Sequence, residues 1–232
     1  MTAEAAPSKA QCEDVALANR IVHAAGLVTA FGHVSARIPD TETFLIPTRA
    51  SPAFAHLERL LVMDTSGRVC AGEGHPNSES WIHARIYENR PEVGAVAHVH
   101  APSCVVIGQI GATVHPLHNS GAVFGQVPVF DRIGLINSRE LGDQVAAVLG
   151  EARAMLLRGH GANVVAADVR EATVLACFLE EAAELQLRAL AATGGQGSPR
   201  YFDEEERSRA SSQLSTPETI ARAWDYYAAL IH

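Results

Sequence analysis

His98 and His100 stand two residues apart in Gly94-Ala95-Val96-Ala97-His98-Val99-His100. The run is small and β-branched and lies between Pro91 and Pro102, so it reads as a buried strand. Alternate strand residues point to one face, so both imidazoles can reach one metal ion. A buried pair hydrogen-bonded to backbone is the alternative, because two histidines alone do not make a metal site. A third imidazole comes from Arg158-Gly159-His160-Gly161, at the end of the apolar run Ala154–Leu157. Glycine on both sides of His160 points to close backbone approach or positive φ rather than to a packing role. Glu79 opens a predicted helix over Glu79–Asn89, where the helix dipole favours a carboxylate. Asn77 and Ser78 precede it as N-cap candidates. Three histidines and a carboxylate suit Zn²⁺ or a similar borderline divalent metal.

These side chains need a frame. Residues 1–10 read as a flexible start. Gln11–Ala25 is a predicted helix with Val15, Ala18, Ile21 and Val22 on one face and Gly26 as its stop. Strands are expected at Phe31–Arg37 and Thr43–Ile46, and a hairpin joins Leu60–Asp64 to Arg68–Cys70. Pro102–Ile110 reads as a helix, Val127–Phe130 as a strand, and Asn137–Leu149 as a helix capped by Ser138. Ala162–Ala166 is a predicted strand, and Asp168 caps a long helix to about Ala192. A β-rich middle between helices points to one α/β/α layered domain over residues 11–192. Residues 193–232 form a tail. Thr193–Pro199 reads as a linker-like loop, Asp203–Arg209 as a charged stretch, and Pro217–Ile231 as a helix packing on the domain or on a neighbouring subunit.

Ser78-Glu79-x-Trp81, His83, Ile86-Tyr87, Arg90-Pro91, Ala95-Val96 and His98-x-His100, followed by Leu157-x-x-His160-Gly161, resemble the class II aldolase/adducin family. The resemblance covers roughly residues 12–192. It implies a single α/β domain with a mixed, largely antiparallel central sheet. It also implies one divalent metal ion held by His98, His100 and His160, with Glu79 as acid/base and as a candidate fourth ligand. Zinc is the first choice, and manganese, cobalt or iron would suit the same donors. A homotetramer with sites near subunit interfaces completes the family pattern.

Departures from the sugar-phosphate aldolases narrow the expected reaction. Those enzymes carry Gly-Asn-x-Ser-x-Arg after the first helix, where this chain has Gly32-His33-Val34-Ser35-Ala36-Arg37. Their small phosphate-binding turn is replaced by Ile46-Pro47-Thr48-Arg49-Ala50-Ser51-Pro52, and their Ser-Ser pair by Asn77-Ser78. His33, Ser35, Arg49, Asn77 and Ser78 are therefore the substrate-binding candidates. The Arg49 guanidinium suits a carboxylate bidentately; a solvated loop residue is the alternative. Where the aldolases have a catalytic tyrosine that reaches a neighbouring subunit, Val114–Gly121 offers His118, or else His115; structural loop histidines are the alternative. These changes resemble the branch of metal-dependent decarboxylases acting on hydroxylated aromatic or heteroaromatic carboxylates and related ring-cleavage acids. An aldolase or epimerase acting on a hydroxylated or sugar-phosphate-like substrate is the second expectation. A non-catalytic adducin-like head is the third, and the three intact histidines speak against it.

The 232 residues include 47% hydrophobic and 19% charged side chains, enough for a sizeable core. A net charge of −8 argues against nucleic acid or an anionic membrane as partner, while a local basic pocket can still take a small anionic substrate. Cys12, Cys70, Cys104 and Cys177 lack CxxC spacing and read as free thiols in a reducing compartment. Met1–Lys9 shows neither the basic start nor the apolar core of a signal peptide, and a cytoplasmic protein is expected.

Overall fold

The computed structural model describes residues 6–194 and 198–231. The first helix, α1, spans Lys9–Ala24 and begins two residues before its expected start. The reason is local. The Ser8 hydroxyl accepts from the Gln11 N–H while the Gln11 side chain accepts from the Ser8 N–H, a capping box that satisfies two free helix donors. Residues 1–5 of the expected flexible start lie outside the described residues. Gly26 follows the helix with φ of +76°, the left-handed stop that the sequence suggests.

Eight strands form one sheet in the order β4-β3-β2-β1-β5-β8-β7-β6. They are β1 His33–Arg37, β2 Thr43–Pro47, β3 Leu60–Asp64, β4 Val69–Ala71, β5 Ala95–Val99, β6 Val129–Phe130, β7 Ala154–Leu157 and β8 Gly161–Ala166. Every neighbouring pair is antiparallel except β6 and β7. The expected strand over Val127–Phe130 shrinks to two residues at the sheet edge. Pro128 has no N–H to donate, and its carbonyl accepts from Leu156 instead.

Helices cover both faces. On one lie α2 (Ser80–Asn89) and α4 (Arg139–Leu149), packed on Phe44, Met63, Val96, Met155 and Val165. On the other lie α1, α3 (Pro102–Gln109) and α5 (Val169–Ala192), packed on Val34, Leu45, Ala97, Leu156 and Val164. This is the layered α/β domain that the sequence predicts. The tail adds α6 (Glu204–Leu214) and α7 (Pro217–Ala228). α7 buries Ile220 and Trp224 in the α1/α5 core, and a 3₁₀ turn at Ala229–Ile231 ends what was expected as one helix. The charged stretch after Asp203 is itself helical. Its polarity hides any apolar period, and the Asp203–Glu206 capping box starts it. Residues 195–197 of the expected linker lie outside the described residues.

Strand register brings distant residues together at one end of the sheet. β1 and β5 pair so that His33 faces His98, and β5 and β8 pair so that His98 faces Asn163. The four cysteines are thiols rather than disulfides, and no helix among the described residues is long and apolar enough to cross a membrane.

Candidate metal centre and active site

His98 lies within β5 and is fully buried, while His100 sits just past the strand end. The tight β7–β8 turn brings His160 against them. Gly159 has φ of +67°, and a Cβ on Gly161 would stand 2.0 Å from the Val99 carbonyl oxygen. Both meanings of a flanking glycine, positive φ and close backbone approach, therefore operate around His160.

Glu79 closes the cluster from α2. The helix starts at Ser80, one residue later than expected, so Glu79 occupies the N-cap position, and its carboxylate caps nothing. Oε1 accepts the Ile136 N–H at 2.9 Å; Oε2 lies 3.4 Å from His160 Nε2 and 3.7 Å from His98 Nε2. His100 Nε2 is 3.2 Å from His98 Nε2. One donor atom from each of the four residues lies within 4.8 Å of the others.

This donor set fits a divalent cation. His160 Nε2 is buried with no hydrogen-bond partner among the described residues. His98 Nδ1 is 2.8 Å from Asn163 Oδ1, which holds the proton on Nδ1 and leaves the Nε2 lone pair for a metal. Burial, with His98 and His160 nearby, pulls the His100 pKa down to about 4, so its lone pair is free at neutral pH. Burial opposes the charge on Glu79, but the neighbouring His160 and His98 imidazoles and the hydrogen bond from the Ile136 N–H prevail and hold the carboxyl well below the usual range. The cluster is thus consistent with a divalent metal site.

A cavity of about 530 Å³ opens over it, lined by Glu79, His100 and His160 together with Phe31, His33, Arg49, Asn77, Ser78 and Leu135. Arg49 sits in the loop after β2, tied down by its N–H to the His75 carbonyl at 2.8 Å. Its guanidinium makes no hydrogen bond or ion pair with the described residues. Asn77 lines the cavity, but its amide N–H groups reach the Pro47 and Thr48 carbonyls at 3.1 and 3.4 Å. It anchors the Arg49 loop.

Two expected site residues lie elsewhere. Ser35 is fully buried below the cavity and does not line it, with its hydroxyl 2.6 Å from His83 Nδ1 and 2.8 Å from the Tyr87 hydroxyl. His118 does not line the cavity of its own chain. It packs against α5 with Nε2 3.5 Å from Glu181 Oε2, while the His115 ring lies tilted against Tyr201.

Sequence reasoning gave no role to Asn163, His83 or Tyr87. A lone amide in the otherwise apolar β8 was a legible signal, as was the i, i+4 spacing of Glu79, His83 and Tyr87 on one helix face.

Residues 13–187 match the family model described as Class II Aldolase and Adducin N-terminal domain. The chain belongs to this family. Family relatives include the 3,4-dihydroxyphthalate decarboxylase of Rhodococcus jostii, 32% identical over 78% of this chain and 80% of that protein. The protein of the same name from Terrabacter is 34% identical over 78% of this chain and 82% of that one. Among solved structures, the L-fuculose 1-phosphate aldolase from Glaciozyma antarctica superposes with a TM-score of 0.82 at 21% identity, covering 98% and 93% of the two chains. That likeness concerns the fold. With the His₃Glu cluster intact, family membership makes the protein a class II aldolase superfamily lyase.

Proposed function

We propose that the protein is a metal-dependent carboxy-lyase that removes CO₂ from an ortho-hydroxy aromatic or heteroaromatic carboxylate. The observation that carries this reading is Arg49. It lines the same cavity as Glu79, His100 and His160, its guanidinium has no partner among the described residues, and a guanidinium grips a carboxylate bidentately. The decarboxylase names of relatives at 32% and 34% identity support the same substrate class.

His98, His100 and His160 would hold the ion, with Glu79 beside it; zinc suits three imidazoles best, and manganese, cobalt or iron could use the same donors. When bound, the ion supplies Lewis-acid stabilisation of negative charge on the substrate's hydroxyl oxygen. The chain's own groups do the rest. Arg49 binds a substrate carboxylate. Phe31 and Leu135 flank the ring and keep the site apolar, which favours loss of carboxylate charge as CO₂. Glu79 is held ionised, so it first accepts the proton of the substrate hydroxyl and then returns it to the ring carbon that bears the departing carboxylate. The carbon–carboxylate bond breaks, CO₂ leaves, and its bonding pair restores the aromatic ring. The hydroxyl oxygen regains one proton from solvent on product release. A small anionic substrate and a homotetramer belong to this reading; nucleic acid and membrane do not.

The direct assay gives the zinc-reconstituted protein 3,4-dihydroxyphthalate, other ortho-hydroxy aromatic acids and a set of sugar phosphates. CO₂ and aldehyde are measured separately. CO₂ release is expected, with a raised KM in Arg49→Lys because an ammonium cannot reproduce the bidentate fork. Aldehyde from a sugar phosphate, with no CO₂ from any acid, would instead establish the aldolase alternative.

A further inference from the structure

A buried hydrogen-bond chain runs inward from the cavity wall. His33 Nδ1 meets His83 Nε2 at 2.7 Å, His83 Nδ1 meets Ser35 Oγ at 2.6 Å, and Ser35 Oγ meets the Tyr87 hydroxyl at 2.8 Å. All four residues are buried. Periodicity builds the chain: His33 and Ser35 alternate on β1, and His83 and Tyr87 sit one turn apart on α2.

Each link carries one proton, and the terminal hydroxyl sets the direction. A buried Tyr87 O–H needs an acceptor. Among the described residues the one hydrogen-bond partner of its oxygen is Ser35 Oγ. Tyr87 therefore donates to Ser35. The Ser35 proton then has one acceptor left, His83 Nδ1. His83 carries its own proton on Nε2 and donates it to His33 Nδ1. With Nδ1 an acceptor, the neutral His33 ring carries its proton on Nε2. The reverse order would leave the Tyr87 proton without a partner in the core.

We infer that Tyr87 and Ser35, acting through His83, are positioning residues that lock His33 as a neutral Nε2–H donor at the cavity wall for an anionic oxygen of the substrate. Neutrality matters because the His33 and His98 rings lie 5.2 Å apart, where an imidazolium would repel a bound cation. A bare Nε2, conversely, would repel the oxygen. Assigning that oxygen to a carboxylate rests on the proposed decarboxylase function; the proton order does not.

Long-range ¹H–¹⁵N spectra of the zinc-loaded, ¹⁵N-histidine-labelled protein read the two tautomers, with His33→Gln and His83→Gln assigning the signals. Both rings are expected with a protonated Nε2 and a bare Nδ1. A proton on Nδ1 of either ring overturns the inference, whatever the reaction. In Tyr87→Phe the His33 signals should move toward a tautomer mixture with zinc content unchanged; unchanged tautomers in a folded variant would remove Tyr87 as the origin. If that variant does not fold, the wild-type spectrum decides. The role at the wall is read by binding of 3,4-dihydroxybenzoate relative to catechol. His33→Leu should lose about tenfold or more of this preference, and His33→Gln, which keeps an N–H near the same place, should retain most of it. Equal preference in all three proteins overturns the donor role. Expected tautomers without any wild-type preference would overturn the carboxylate assignment alone.

Discussion

Asn163 shows how single residues of the site answer to function more than to stability. Its Oδ1 orients His98, while its Nδ2 is buried without a partner among the described residues. An unpaired buried N–H costs ~1–3 kcal/mol. Asn163→Ala should therefore lower metal affinity about 10–100-fold, as outer partners of metal-bound histidines do. Titration against a competing chelator measures it, and the metal-free melting temperature should fall little or rise. Undiminished affinity would remove the orienting role. Glu79 stands at a similar divide. Used only as a helix-start carboxylate it would contribute at most ~1 kcal/mol. As proton carrier it predicts that Glu79→Gln keeps the fold and loses roughly 10²–10⁴ in turnover. Near-normal turnover with a lowered melting temperature would return it to the structural role.

At the scale of elements, the site depends on how closely α2 can approach α4. A Cβ on Gly142 of α4 would lie 2.6 Å from the Trp81 carbonyl oxygen and from Arg85 Cγ. The same contact is tied by Arg85 Nε to Asp143 Oδ1 at 2.5 Å. Gly142→Ala gains up to ~1 kcal/mol in helix propensity. It also forces two backbones apart, at a cost of about 1–3 kcal/mol. Net destabilisation is expected, read as a lower denaturant midpoint. Gly125→Ala is the control, since a Cβ there meets nothing within 4 Å and its φ is not positive. Equal midpoints for the two variants would show that the helices are not in forced contact.

For the whole molecule, the cavity mouth is apolar and open. Phe31 and Leu135 line it yet are 70% and 56% exposed in the isolated chain. Exposed aromatic and aliphatic side chains at a site rim favour cover by another surface. The homo-oligomer in the proposed function supplies one. Light scattering on dilute active enzyme should give the mass of four chains, and Phe31→Asp/Leu135→Asp should yield smaller species. A fully active monomer would contradict a shared site.

The sequence alone picked out the four residues of the His/Glu cluster, because their cues are local. Two-residue alternation sets His98 and His100, paired glycines mark His160, and a helix start holds Glu79. It also determined the layered fold, through strand and helix periods and through family motifs spread over most of the chain. It failed where local pattern is silent. The charged α6 has no apolar stripe to betray it, and the α1 start turned on one hydrogen-bonded box at Ser8. Only the tertiary structure decided which polar residues share the site. Asn163 lies 65 residues from His98, and strand register alone joins them. Ser35 follows the strand alternation of His33, yet the His83 ring from α2 occupies the space above its hydroxyl and turns it inward. His118 sits in a loop whose place is set by packing on α5, which no spacing in the chain encodes.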